Sequence, residues 1–217
     1  MSTSTIANTR TNASSGFFTI SLAYLLSGCV SSTVASDPQL NEFDRITGAA
    51  RAIESKFAGG QRTALADVPT TGSTDYAGFM SVKLASRTER VAAKIAGELF
   101  LTIDFAQGDR SMLAGHGNNF VNEYGTSLPG QLVLSGGTLN RGPNPTNSPT
   151  FNFDGYGSLT DTEQNTVMTI SATFAGDFFG TDADALGGEV AGNAVTADKA
   201  QPFQGVFAVA ESHGDRQ

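Results

Sequence analysis

The chain is 217 residues long with a formal net charge of −8, so it can bury a sizeable core in one or at most two domains. It holds no run of Lys or Arg able to grip a phosphate backbone, which excludes the usual nucleic-acid binders, and its acidity disfavours adsorption to anionic lipid by charge alone. A single cysteine, Cys29, excludes an internal disulfide and a thiolate metal cluster.

Near the N-terminus, the mostly apolar run Phe17–Leu26 has the length of a signal-peptide core and is too short to span a bilayer. It leads into Leu26-Ser27-Gly28-Cys29, which resembles a bacterial lipobox, where the Cys becomes the first mature residue and carries lipid. Small residues before the Cys suit a peptidase that must seat a narrow chain. The expectation is a lipoprotein signal peptide over residues 1–28 and lipidation at Cys29, with several acyl chains at one terminus giving a firm anchor. Val30 stands where an Asp would favour retention in the inner membrane, so the expected destination is the outer membrane.

Residues 29–69 read as a tether, a helix and a connector. The Ser/Thr-rich stretch Val30–Pro38 is the tether. From Asp37 to about Ala58, Leu40, Phe43, Ile46, Ala50, Ile53 and Phe57 recur three or four apart, placing them on one helical face. Asp37 and Pro38 suit an N-cap and first position, and Gly59-Gly60 stops the helix.

Residues 70–217 switch to period two. Tyr76–Leu84 reads as a strand; in GELFLTIDFAQG, Leu99, Leu101, Ile103 and Phe105 face one way and Phe100, Thr102 and Asp104 the other. Gln131–Leu134 runs into Gly136-Gly137, a tight-turn signal. Phe151 and Phe153 alternate with Asn152 and Asp154, Met168, Ile170, Ala172 and Phe174 alternate with polar neighbours, and Phe203–Val209 closes the series. About seven or eight strands with no helical period between them predict an antiparallel sandwich or barrel and exclude a doubly wound α/β fold. Polar outer positions argue against a transmembrane barrel, which needs a lipid-facing apolar band. The Pro-rich polar segment Asn140–Ser148 reads as a loop suited to binding.

Chemistry-bearing patterns are sparse. His116, in the glycine-flanked GHGNN read as a turn, and His213, in the C-terminal ESHGDRQ, stand near no nucleophile elbow. Axial ligation of haem or another metal by His116 is the minor alternative. Asp104, Asp154 and Glu163 cannot be paired across a cleft from sequence. Asp182 and Asp184 resemble the opening of a calcium loop, but the twelfth position counted from Asp182 is Asn193 rather than a bidentate acid. Gly187-Gly188 is not followed by the Lys of a phosphate loop. The expectation is a protein that is not an enzyme, with no cofactor and no metal site.

The run GDFFG, Gly176–Gly180, followed by Ala183, Leu186 and Gly187-Gly188, resembles a signature in the β-barrel domain of transferrin-binding protein B and related surface lipoproteins. The stretches Asp67–Val82 and GELFLTIDFAQG resemble that family's first barrel strand and a later alternating strand, and Phe203–Val209 its closing G-x-F strand. The likeness covers about Asp67–Ala210 in the family's order, with Thr181 in place of the usual Pro and Ala185 in place of the usual Glu. It implies an eight-stranded antiparallel up-and-down β-barrel, preceded here by the short amphipathic helix and the signal peptide. It also implies a cell-surface or outer-membrane lipoprotein that binds a protein or haem-type ligand, in a setting such as iron or haem acquisition. A surface-export translocon or a TonB-dependent receptor is an expected companion.

The ligand surface is expected on loops at one barrel end, with Asn140–Ser148 and Gly115–Gly125 as candidates. Phe120, Tyr124, Asn140, Arg141 and Asn144 are the candidate contacts, buried caps of the barrel end being the other reading of the two aromatics. Two further readings stay open: a structural or accessory envelope protein with a dry barrel, and a small-ligand carrier needing a lumen of a few hundred Å³. Against the carrier, Leu101, Ile103 and Phe105 are large enough to fill the lumen themselves.

Overall fold

A computed structural model describes residues 38–57, 60–85, 94–105, 112–142, 150–197 and 199–212. The signal-peptide stretch, Cys29, Asp37, Asn144 and His213 lie outside these described residues.

Helix α1 spans Pro38–Phe57, matching the three-and-four spacing of its apolar residues. Eight strands follow: β1 (Ser73–Leu84), β2 (Lys94–Asp104), β3 (Met112–Asn122), β4 (Gly130–Asn140), β5 (Thr150–Asp161), β6 (Thr166–Phe179), β7 (Ala185–Val195) and β8 (Ala200–Glu211). Each pairs antiparallel with the next, and β8 pairs back onto β1 (Gly78 opposite Val209), closing an up-and-down barrel. Closure leaves no unpaired sheet edge, the feature that makes open sheets prone to aggregation.

Period two places alternate side chains inside. Leu99, Leu101, Ile103 and Phe105 are all at most 3 % exposed, whereas Phe100 and Thr102 face out, as their alternation predicts. The interior is built on phenylalanine. Phe153 stacks on Phe174 at 4.5 Å between ring centres, and Phe207 meets Phe151, Phe153 and Phe174 edge-on. Each such side chain contributes about 1.5–3 kcal/mol by burial, with a further increment from the edge-to-face geometry. Rings this large need space opposite them. A Cβ added at Gly97 would stand 2.2 Å from the Phe120 ring, so a bare backbone at this inward position makes room for it.

Two elements depart from the sequence reading. Gly136-Gly137 is not a turn: β4 runs through it, and the pair forms a bulge where Ser135 opposes Asp154 and Thr138 opposes Asn152. Gly136 sits at φ +74, the left-handed residue such a bulge requires, so the same glycine chemistry serves a kink inside a strand. The GHGNN segment is not a turn either. It lies within β3, where His116 opposes Phe100 on β2 and Val133 on β4. A second bulge follows, with Gly97 of β2 facing Asn119 and Phe120 of β3 and Asn119 at φ 51.

Helix α1 lies on the outside of the barrel. Its buried Ile46 joins Phe43 in a small cluster with Phe79, Ala96 and Val121 from β1, β2 and β3. Arg45 fastens it: one guanidinium nitrogen reaches Glu42 at 2.6 Å and Glu98 at 2.5 Å, and Asn119 Nδ2 donates to the other Glu98 oxygen at 2.6 Å. The left-handed backbone of the β3 bulge thus belongs to a residue that helps hold the helix.

Candidate functional site

The connector after α1 crosses the barrel end at which β1, β3, β5 and β7 begin. Thr63 N–H donates to the Phe178 carbonyl and Thr63 Oγ1 to the Gly180 carbonyl, while Phe105 N–H donates to the Gly72 carbonyl. Val68, 2 % exposed, joins the interior cluster there. At the opposite end, buried Leu128 folds back to the same cluster and its N–H donates to the Phe120 carbonyl. Between these ends, a void bounded by the described residues Ile103, Leu113, Phe151 and Phe178 is only about 10 Å³, room for one water at most. Among the described residues the interior is packed as a core, and this void is far below the few hundred Å³ that the small-ligand carrier reading requires.

The candidate contacts do not converge. Phe120 is 2 % exposed and lies within β3 rather than on a loop, a buried position. The period-two signal around it is broken by the bulge at Asn119, which explains why it reads as loop from sequence. Tyr124 is 64 % exposed in the turn after β3, whose backbone is held by Asn122 Oδ1 accepting from the Tyr124 and Thr126 N–H groups. Asn140 and Arg141 stand at the other barrel end, a strand length of roughly 30 Å away. There Asn140 Oδ1 accepts from the Gly142 N–H, and the Arg141 guanidinium donates to the Val68 and Pro69 carbonyls. Arg141 therefore clasps the connector to the end of β4.

Among the described residues, two spaces large enough for a ligand lie on the outer wall, at the connector end. One groove of about 780 Å³ is lined by Asn140, Arg141, Thr150, Asn152, Asp177 and Glu189. A second, of about 620 Å³, lies between α1 and β6–β8, lined by Ile53, Glu54, Arg62, Phe179, Val206 and Ala208. The two share Asp177, Gly188 and Glu189 and form one furrow. Arg62 pairs with Asp177 at 3.0 Å across it. Phe178 and Phe179 point to opposite sides as alternation requires: Phe178 is fully buried inside, and Phe179 lines the furrow outside. Sequence reasoning missed the furrow because its residues come from the helix, the connector and five strands.

The GDFFGTDADALGG segment places β6, a five-residue turn and β7. Gly180 (φ +91) and Ala183 (φ +63) supply the left-handed turn backbone, and the buried Tyr76 hydroxyl donates to the Ala183 carbonyl at 2.9 Å. Burial pushes the Tyr76 phenol well above its usual range, with Glu211 adding to the shift. Asp182 and Asp184 belong to this turn, and Gly187-Gly188 to β7. His116 stacks on Phe100 with ring centres 5.0 Å apart. Among the described residues no three His, Cys, Asp or Glu side chains are grouped so as to hold a metal ion.

Fold and surface together define a closed, core-filled eight-stranded barrel with its open spaces on the outer wall. No family model matches the chain, and no curated protein matches it. Among solved structures it is similar to two crystal structures of the vaccine antigen transferrin-binding protein B from Haemophilus parasuis, a double mutant and a single mutant. Both are 16 % identical over 69 % of this chain, with TM-scores of 0.36 and 0.35. This chain spans less than a third of theirs, 28 % and 29 %.

Proposed function

We propose that this chain is a non-enzymatic binding protein of the bacterial outer membrane, anchored by lipid on Cys29 and capturing a protein or haem-type ligand on the outside of its barrel. In this reading residues 1–28 are removed, residues 29–69 tether and brace, and the barrel of residues 70–217 carries the ligand surface. The lipobox resemblance and the transferrin-binding protein B-like signature supply the setting, with iron or haem acquisition as the first to test. The observation that carries the proposal is the division of space among the described residues: the void among the interior side chains is about 10 Å³, while the outer wall holds grooves of about 780 and 620 Å³.

Capture from host or environmental extracts under iron limitation tests it, using the full chain, a Cys29→Ala control for anchoring, and Ala175→Trp to obstruct the furrow. Ala175 is exposed and lines the larger groove, so the change leaves the interior intact. The expected result is a ligand retained by the wild type and by Cys29→Ala, and lost with Ala175→Trp. Failure to retain any protein or haem would count against the proposal, as would a turnover abolished by changing one acid.

The sealed ends and filled interior also favour a second reading, a structural or accessory envelope protein with no diffusible ligand. It predicts envelope defects on deletion that Ala175→Trp fully complements.

A further inference from the structure

Away from the cluster that α1 covers, the pairing register aligns four side chains that are distant in sequence. Phe100 opposes His116, His116 opposes Val133, and Val133 opposes Tyr156, on β2, β3, β4 and β5 in turn. Phe100, Val133 and Tyr156 are 37 %, 57 % and 51 % exposed, and His116 lies nearly parallel to Phe100, 18° between ring planes. The result is a single file of ring and aliphatic surface across three strand spacings, about 14 Å long.

Its borders are polar and almost uncharged. On one side the next outward row reads Thr102, Ala114, Ser135, Asp154 and Thr173 in continuous register. On the other, Gln131, Ser158 and Thr169 stand in register. The nearest acids are already engaged: Glu98 by Arg45 and Asn119, and Asp154 by the Thr173 hydroxyl at 3.1 Å. A stripe one residue wide, hemmed by hydroxyls and amides, lacks the broad apolar centre of a protein interface, which buries about 800 Å² per partner. Of the two acids beside it, Glu98 is paired with Arg45, so the single carboxylate of Asp154 is left to accept from a hydroxyl, too little charge to recruit a basic protein surface. A pyranose chain has the complementary shape, with C–H faces that stack on rings and hydroxyl edges that hydrogen-bond on both flanks.

We infer that the Phe100–His116–Val133–Tyr156 stripe is a binding platform for an uncharged glycan chain. Tyr156 supplies the stacking face, the stacked Phe100–His116 pair an apolar rim at the other end, and Asp154, Ser135 and Gln131 accept or donate at the sugar edges. The site is separate from the furrow: a ligand captured there survives loss of Tyr156, so the two proposals fail independently.

The test titrates the full-length chain with chitotetraose, a cell-wall type of oligosaccharide, and with maltohexaose, a storage or environmental glucan, following amide and aromatic NMR shifts. At least one should bind saturably, with shifts centred on β2–β5 and little change on raising salt. Tyr156→Ala should weaken binding about tenfold, the scale of one lost stacking contact, and Phe100→Ala, which removes only an apolar rim, about threefold. Tyr156→Phe, which keeps the ring, should bind within about twofold, and Val167→Ala, at an exposed apolar position of β6 outside the stripe, should bind as the wild type. No shift with either oligosaccharide overturns the inference, as does a Tyr156→Ala variant that binds normally. Light scattering that finds a dimer dissolved by Tyr156→Ala overturns it too, making the stripe a contact with a second copy.

Discussion

The two faces of β5 are the sharpest contrast in the molecule. Inward, Phe151 and Phe153 are locked among Phe174, Phe178 and Phe207; outward, Tyr156 stands half in solvent beside Val133. Both faces present aromatic residues, yet the first contributes far more to folding through burial, because there the rings are almost wholly removed from water. Aromatic content alone therefore says nothing about role. Register and side decide whether a ring is core or platform.

That contrast is open to direct measurement. Phe174→Ala should cost about 3–5 kcal/mol in chemical denaturation, since it empties space between Phe153 and Phe207, rings held by their strands and by each other. Tyr156→Ala should change stability by about 0.5 kcal/mol or less. Comparable losses at both positions would mean that the outer stripe is also structural.

Most of the barrel was legible because inward positions in β1, β2, β5, β6 and β8 carry large apolar residues with a clean period of two. Strands β3 and β7 were not legible. In β7 the inward series is Leu186, Gly188, Val190, Gly192 and Ala194, and in β3 it is Leu113, Gly115 and Gly117 before a bulge. Glycine carries no side chain to register a period. It is there because the space is taken: a Cβ at Gly192 would stand 2.1 Å from the Ser171 carbonyl oxygen of the adjacent strand and 2.7 Å from the tip of Phe203. The same trade hid Phe120, the ring that Gly97 accommodates. The outer stripe was invisible for another reason, since its four members come from four strands and only the pairing register aligns them.

The glycine and phenylalanine pairing sharpens the interior half of the contrast. Gly97→Ala drives a methyl into the Phe120 ring and should cost about 1–3 kcal/mol. Phe120→Leu is itself destabilising, but the double variant should be less damaging than the sum of the two, a coupling that a denaturation-based mutant cycle reads directly. Strict additivity would mean that the two residues do not share that space.

Tyr76 extends the comparison to pH, because it is the buried counterpart of exposed Tyr124 and Tyr156. Its folded phenol is held above the ordinary value of 10.0, chiefly by burial. The stabilisation is therefore fully present below pH 10 and lost as pH rises beyond it, at up to about 1.4 kcal/mol per pH unit while the unfolded chain alone ionises. Tyr76→Phe should be about 1 kcal/mol less stable at neutral pH, having left the Ala183 carbonyl without its donor, yet decline less steeply in alkali. Parallel alkaline profiles for the two proteins would refute the assignment.

The smallest effect lies where α1 meets the barrel. The hydrogen bond from Arg45 holds the Glu42 carboxyl below its ordinary value of 4.5. A depressed folded value means that the contribution is present above about pH 4.5 and lost as pH falls through the folded value. Both partners are substantially solvated, with side-chain exposures of 49 % and 36 %, so the pair is worth a few tenths of a kcal/mol. Glu42→Gln should accordingly lower the unfolding midpoint by about a degree or two at pH 7 and leave it unchanged at pH 3, whereas Ile46→Ala, which empties the apolar contact beneath the helix, should lower it at both. If Glu42→Gln instead matched Ile46→Ala at pH 7, the helix would be held by charge more than by its apolar face, and the division between a covered and a bare outer wall would rest on Arg45 rather than on Ile46.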